Sequence, residues 1–186
     1  DRTQFAEQYE EMVLALEELT PHQRQKLAEC EQWDASVHVR AAAGAGKTFL
    51  ALHLMLKELR TKEHNCVLLV AKSVALGMFI ANWLCRRAKS QKEVGHLLDR
   101  LHILAPPMDG GPRVAKRSKS QLQLVSLQNE ASAPYDLAVV DEAHYLYSRP
   151  ELSRQLERFV STASRLLILS DASQSLGAQI KYPPGL

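Results

Sequence analysis

The run Ala43-Gly44-Ala45-Gly46-Lys47-Thr48 sets two glycines directly before a lysine and a hydroxyl residue. Glycines let a loop take backbone angles that aim successive N–H groups at one point, an arrangement suited to phosphate oxygens. A lysine closing such a loop reaches the β- and γ-phosphates, and the adjacent threonine hydroxyl is a hard oxygen ligand for Mg²⁺. Asp141 lies 94 positions after Lys47, with Glu142 beside it, at the end of the apolar run YDLAVV. An aspartate in that place can hold Mg²⁺ through its water shell. A neighbouring glutamate can orient and deprotonate an attacking water. A third polar cluster, Ser170-Asp171-Ala172-Ser173-Gln174, follows the apolar run RLLIL, where a polar side chain could bond a γ-phosphate or the water. Each cluster also has a plainer reading: a glycine-softened turn, two capping acids, and Ser and Asp acting as ordinary helix caps.

What decides between these readings is the set of elements that must carry the clusters. The segment Ser36–Arg40 is short and β-rich, and a leucine-rich helical pattern runs from about Lys47 to Leu59. Cys66–Ala71, Tyr135–Val140 and Arg165–Ser170 are apolar runs of the kind buried on both faces of a parallel sheet. Helical patterns are predicted over Val74–Arg87, around Val94–Asp99 and over Pro150–Ser161, and a strand near Leu101–Leu104. Thr20-Pro21 predicts the cap and first position of a helix near 21–32. Phe5, Tyr9, Met12, Val13 and Leu16 predict an amphipathic helix over 2–18. The segment 106–120, PPMDGGPRVAKRSKS, reads as an exposed loop. Strands separated by helices imply βαβ crossovers and a three-layer α/β fold with helices on both faces of a parallel sheet. Ligands in such folds sit beyond the carboxyl ends of the strands, and all three polar clusters fall at such ends.

Composition sets the outer bounds. The 186 residues suffice for one domain with a substantial core, and no apolar run approaches a membrane span. Cys30, Cys66 and Cys85 lack metal-ligand spacing, and an odd count argues against a disulfide framework, which suggests a reducing, intracellular setting. Residues 1–18 carry six acidic side chains against Arg2, a net of −5, so the remainder carries +7 within a total of +2. That excess leaves room for a polyanionic partner without demanding one. The chain opens without Met and ends at KYPPGL, which suggests a piece of a longer protein.

Taken together, the chain resembles the first RecA-like domain of superfamily 1 helicases over roughly residues 19–176. LTPHQRQKL resembles the family's Q motif, which implies that Gln23 contacts adenine. RAAAGAGKT is similar to motif I, with Ala41 in place of the usual first glycine, and implies nucleotide contacts from Ala43, Gly44, Ala45, Gly46, Lys47 and Thr48. LAVVDEAH resembles motif II, with Asp141 on the metal and Glu142 as catalytic base. LLILSDASQS resembles motif III, with Ser170 replacing a glycine and Gln174 coupling hydrolysis to movement. Motifs Ia and Ib would place Lys72, Ser73 and His102 against a nucleic-acid strand. The resemblance implies ATP and Mg²⁺ as cofactors and DNA or RNA, in single-stranded form, as partner. It also implies a second RecA-like domain that supplies an arginine finger, worth about 10³–10⁵ in turnover at related sites. The expected organisation is an N-terminal helix over 1–18 and a RecA-like ATP-binding domain over 19–186, feeble in hydrolysis when isolated.

A rival from another class is a regulatory or scaffold protein whose helicase-like module binds nucleotide without acting as a motor. A P-loop kinase fits less well, since Glu142 suits water activation. Arg113, Lys116, Arg117 and Lys119 read as a solvated basic loop, Trp83 and Met55 as core, and Trp33 as a residue that could stack on a base. His144 is open to two readings, a relay from the ATP site or a structural histidine.

Overall fold

The computed structural model describes residues 20–31, 36–118, 121–127, 134–172 and 182–183, and every structural statement below concerns these. The expected helix over 2–18, Gln174, Trp33 and Lys119 lie outside them. In chain order the elements are α1 (Pro21–Glu31), β1 (Val37–Ala41), α2 (Lys47–Thr61), β2 (Val67–Val70), α3 (Val74–Arg87), α4 (Gln91–Arg100) and β3 (Leu101–Leu104). They continue with β4 (Arg113–Ser118), β5 (Gln121–Ser126), β6 (Leu137–Val140), α5 (Ala143–Tyr147), α6 (Pro150–Val160) and β7 (Leu166–Asp171).

The strands form one sheet in the order β1-β7-β6-β2-β3-β4-β5. The first five strands in that order are mutually parallel, and β4 and β5 add antiparallel at one side. Alternate residues of each central strand feed opposite cores, as the two-residue period requires. Val67, Leu69, Leu101, Ile103, Val139 and Leu169 pack with α2, α3 and α4. Leu68, Val70, Leu104, Val140 and Ile168 pack with α5 and α6 on the other face. β2, β6 and β7 are buried along their whole length, which is why their sequences are apolar without alternation. Trp83 and Met55 are fully enclosed, as core residues. No helix among the described residues is long and apolar enough to cross a membrane.

One expectation is corrected. Arg113–Ser118, read as part of an exposed loop, is strand β4, hydrogen-bonded along its length to β5. Its basic residues hid a strand that buries only Val114 and Ala115 and gains its ladder from a partner eight residues on. In β5 the alternation was present in the sequence: Leu122 and Leu124 are the partly buried positions and pack on the core. The short helix α5 was not anticipated either. It starts directly behind Glu142, whose left-handed φ of 53° turns the chain out of β6.

Candidate nucleotide site

The parallel strands β1, β2, β6 and β7 end at one rim of the sheet, and the polar clusters gather there. After β1 the chain turns through Ala42–Ala45, all exposed, and enters α2. Gly44 and Gly46 take φ of 76° and 82°, left-handed values that cost a side-chain-bearing residue roughly 1 kcal/mol or more. Gly46 is the residue before α2 and offers no side-chain cap, so the first N–H groups of a 15-residue helix face the rim. A Cβ on Gly44 would meet nothing within 4 Å, whereas one on Gly46 would lie 2.0 Å from the Gln23 amide nitrogen. Glycine at 46 is thus demanded by its φ, and a Cβ there would also push the flexible end of Gln23 aside. Lys47 Nζ donates to the carbonyls of Ala41 at 2.7 Å and Ala42 at 2.8 Å, folding its ammonium across the loop.

Gln23 reaches this loop from α1. Its position is set by a reciprocal cap: Gln23 N donates to Thr20 Oγ1 at 3.2 Å, and Thr20 N donates to Gln23 Oε1 at 2.9 Å. The T-x-x-Q spacing carries that signal in the sequence. One amide end of Gln23 therefore holds the helix start while the other faces Gly46.

Asp141 closes the other side. The Thr48 hydroxyl donates to Asp141 Oδ2 at 2.9 Å across 93 positions of sequence. Asp141 Oδ1 accepts the Glu142 backbone N–H at 2.8 Å. Burial pushes the Asp141 carboxyl above its usual range, opposed by the Thr48 hydrogen bond and by the nearby Lys47 charge. A carboxylate held in such a place favours an added positive charge.

Glu142 is flanked by two groups. Lys72 Nζ lies 3.6 Å from Glu142 Oε2, and His144 Nε2 lies 3.4 Å from the same oxygen. The Asp171 backbone N–H donates to His144 Nδ1 at 3.2 Å, so in the neutral ring the proton resides on Nε2, facing Glu142. His144 therefore joins the end of β6 to the end of β7. Ser170, where a glycine was expected, is fully buried, and its hydroxyl lies 2.7 Å from His38 Nε2 on β1. Burial holds the His38 imidazole below its usual pKa, in the neutral form that such a bond suits.

The residues proposed to face a strand divide. Lys72 sits at the rim but against Glu142. The Ser73 hydroxyl accepts from Leu76 N at 3.2 Å and caps α3. His102 is at the far, amino edge of the sheet: Nδ1 lies 3.0 Å from the Tyr135 hydroxyl and Nε2 3.7 Å from Cys66 Sγ. A role for His102 at the strand-facing rim is therefore corrected. The motif string RLHIL pointed to it, while β3 presents it at the wrong end. Of the basic residues of β4, Arg113 donates to the Ala105 carbonyl at 3.1 Å and Arg117 to Gln91 Oε1 at 3.2 Å. The sequence reading missed the Lys72 and His38 contacts, since neither partner is near in the chain.

Comparison with known proteins gives three results. A family model described as Schlafen group 3, DNA/RNA helicase domain, matches residues 34–180. No curated protein matches the chain. Among solved structures, a mutant of the large terminase ATPase domain of Thermus phage P74-26 aligns at 15% identity and a TM-score of 0.39, over 77% of this chain. The chain spans 63% of the length of that structure. The family match embraces well over half of the sequence and contains both the glycine loop and the Asp141-Glu142 pair, so this chain belongs to the Schlafen group 3 DNA/RNA helicase domain family.

Proposed function

We propose that this chain is the ATP-binding and ATP-hydrolysing half of a superfamily 1 helicase or translocase core that acts on DNA or RNA. The observation that carries this reading is the 2.9 Å hydrogen bond between Thr48 and Asp141, at the mouth of a glycine loop. A hydroxyl and a carboxylate meeting beside an uncapped helix N-terminus make an oxygen donor set suited to Mg²⁺ accompanied by phosphates. Thr48 and Asp141 would hold the ion, which when bound neutralises charge on the phosphates.

The chain's own groups then have distinct tasks. Backbone N–H groups of Ala43–Gly46 and the start of α2 hold phosphate oxygens. Lys47 exchanges its two loop carbonyls for the terminal phosphates, a trade of neutral acceptors for charged ones that favours the nucleotide. Glu142 takes the proton of the attacking water. His144 orients that carboxylate, and its bond to Asp171 carries the orientation to the start of the segment containing Gln174. Gln23 contacts adenine through its amide, and Gln174 couples the site to its surroundings.

The loop is exposed on an open rim, so a nucleotide would be gripped from one side. A second RecA-like domain with an arginine finger would close the other side, and turnover without it should be feeble. The test measures Mg-ATP affinity and phosphate release with and without single-stranded DNA or RNA. Glu142→Gln should keep affinity and lower turnover by about 10²–10⁴, the usual worth of a general base. Unchanged turnover in that variant removes Glu142 from the role. Turnover indifferent to any strand favours a nucleotide switch on a scaffold over a motor.

A further inference from the structure

The Lys72–Glu142 contact has no part in the chemistry above, yet its placement is specific. β2 and β6 are adjacent and parallel with Val70 opposite Val140, so Lys72 and Glu142 each stand two residues beyond a paired position. The backbone on either side of Lys72 is pinned: Ala71 N donates to the Leu104 carbonyl at 2.9 Å, and Ser73 caps α3. Only the lysine side chain is left to move. It is 46% exposed, and the Glu142 side chain 32%. On the other flank of Glu142, His144 is buried and tied to Asp171.

The two neighbours of the carboxylate are therefore unlike. The imidazole is a fixed support. The ammonium is a displaceable one, at the rim that faces solvent. The ion pair fixes where the Glu142 carboxylate lies, and a partner that removes the ammonium releases it. Any polyanion laid along this rim competes for the same ammonium.

Resting on the assignment of Glu142 as base, we propose that Lys72 is a positioning residue that restrains Glu142 until a single-stranded nucleic acid takes the lysine away through a backbone phosphate. The strand would then stimulate hydrolysis by freeing a carboxylate, with no rearrangement of the sheet. Strand and carboxylate are alternative partners of one ammonium, so each weakens the other's hold.

Two measurements on the full chain test this, each with labelled oligothymidylate and oligouridylate in parallel. In phosphate release, Lys72→Met should raise strand-free turnover by about two- to fivefold, the range for one half-exposed ion pair, and erase stimulation by the strand. Lys72→Arg should retain the restraint. In strand binding followed by fluorescence anisotropy, Glu142→Gln should tighten binding by a similar factor in the native background and not in Lys72→Met. Lys72→Met should also flatten the salt dependence by about one phosphate contact. An equal effect of Glu142→Gln in both backgrounds overturns the proposal, as does unchanged or lowered strand-free turnover in Lys72→Met. The absence of strand binding overturns it too. If turnover lies below detection, the anisotropy cycle decides alone. Should Glu142→Gln leave turnover intact, the base assignment falls first and this restraint with it. If it stops turnover while Lys72→Met changes neither measurement, only the restraint falls.

Discussion

At the amino edge of the parallel strands, Glu58 pairs with Arg165 and accepts from Asn65 Nδ2 at 2.6 Å. Beside them Asp136 Oδ2 accepts the Cys66 N–H at 2.8 Å, and His102 meets Tyr135. These groups line or adjoin a cleft of about 440 Å³ bounded by α2 and the starts of β1, β6 and β7. The carboxyl edge uses the same residue types, Asp, Glu, His and Lys, but arranges them otherwise. There a lysine borrows carbonyls from its own loop, a helix start carries no side-chain cap, and two carboxylates stand side by side. The amino edge closes its polar groups on one another, which holds the sheet together. The carboxyl edge gathers polar groups in excess of what they can give each other, which is the condition for taking a ligand.

Three substitutions break or sharpen that contrast. Lys47→Ala should have the largest effect, weakening Mg-nucleotide binding by about 100-fold or more through lost charge-assisted bonds, while the melting temperature moves by no more than about 2 °C. Titration with a fluorescent nucleotide and a thermal melt check the two halves of that statement. A large drop in melting temperature would mean that the lysine belongs to the scaffold.

Glu58→Ala should do the reverse. Its pair with Arg165 is mostly enclosed, with side chains 14% and 30% exposed, so its loss falls between exposed and buried ion pairs. A destabilisation of about 2 kcal/mol, or roughly 4–8 °C for a domain of this size, is expected, with nucleotide affinity unchanged. Altered affinity would show that the two edges communicate.

Asp141→Asn should have a small effect on stability and the most telling sign. Because burial raises the folded-state pKa of Asp141, the folded chain holds this proton at pH values where the unfolded chain has released it. Stability is therefore lost as pH rises from the ordinary carboxylate value, about 3.9, through the raised one. The asparagine variant should escape that loss, melting higher than the parent at neutral pH while losing Mg-dependent nucleotide binding. Melts across pH with no difference between the two proteins would show that Asp141 is stabilised as an anion by its neighbours alone.

Much of this architecture was legible in advance, for a specific physical reason. Strands buried on both faces must be apolar throughout, so β2, β6 and β7 announced themselves, and the predicted helix over Val74–Arg87 coincides with α3. The Asp141-Glu142 pair was legible because it sits directly after such a strand, and the loop because it stands between a short β-rich segment and a leucine-rich helix. β4 was illegible because Arg113–Ser118 has little apolar content of its own and exists as a strand by pairing with β5. His102 was misplaced because a motif string says which strand a residue is on, and the direction of that strand says which edge it reaches.

The local chemistry of the chain was set by its sequence: glycines where φ must be positive, a hydroxyl after the lysine, acids at the tip of an apolar run. Tertiary structure decided which of these groups share a space. Thr48 meets Asp141, His38 meets Ser170 and Lys72 meets Glu142 only because strands distant in sequence lie side by side and end at a common rim. Hydrogen bonds and ion pairs act over a few ångströms, and sequence separation carries no information about distances that strand order alone creates.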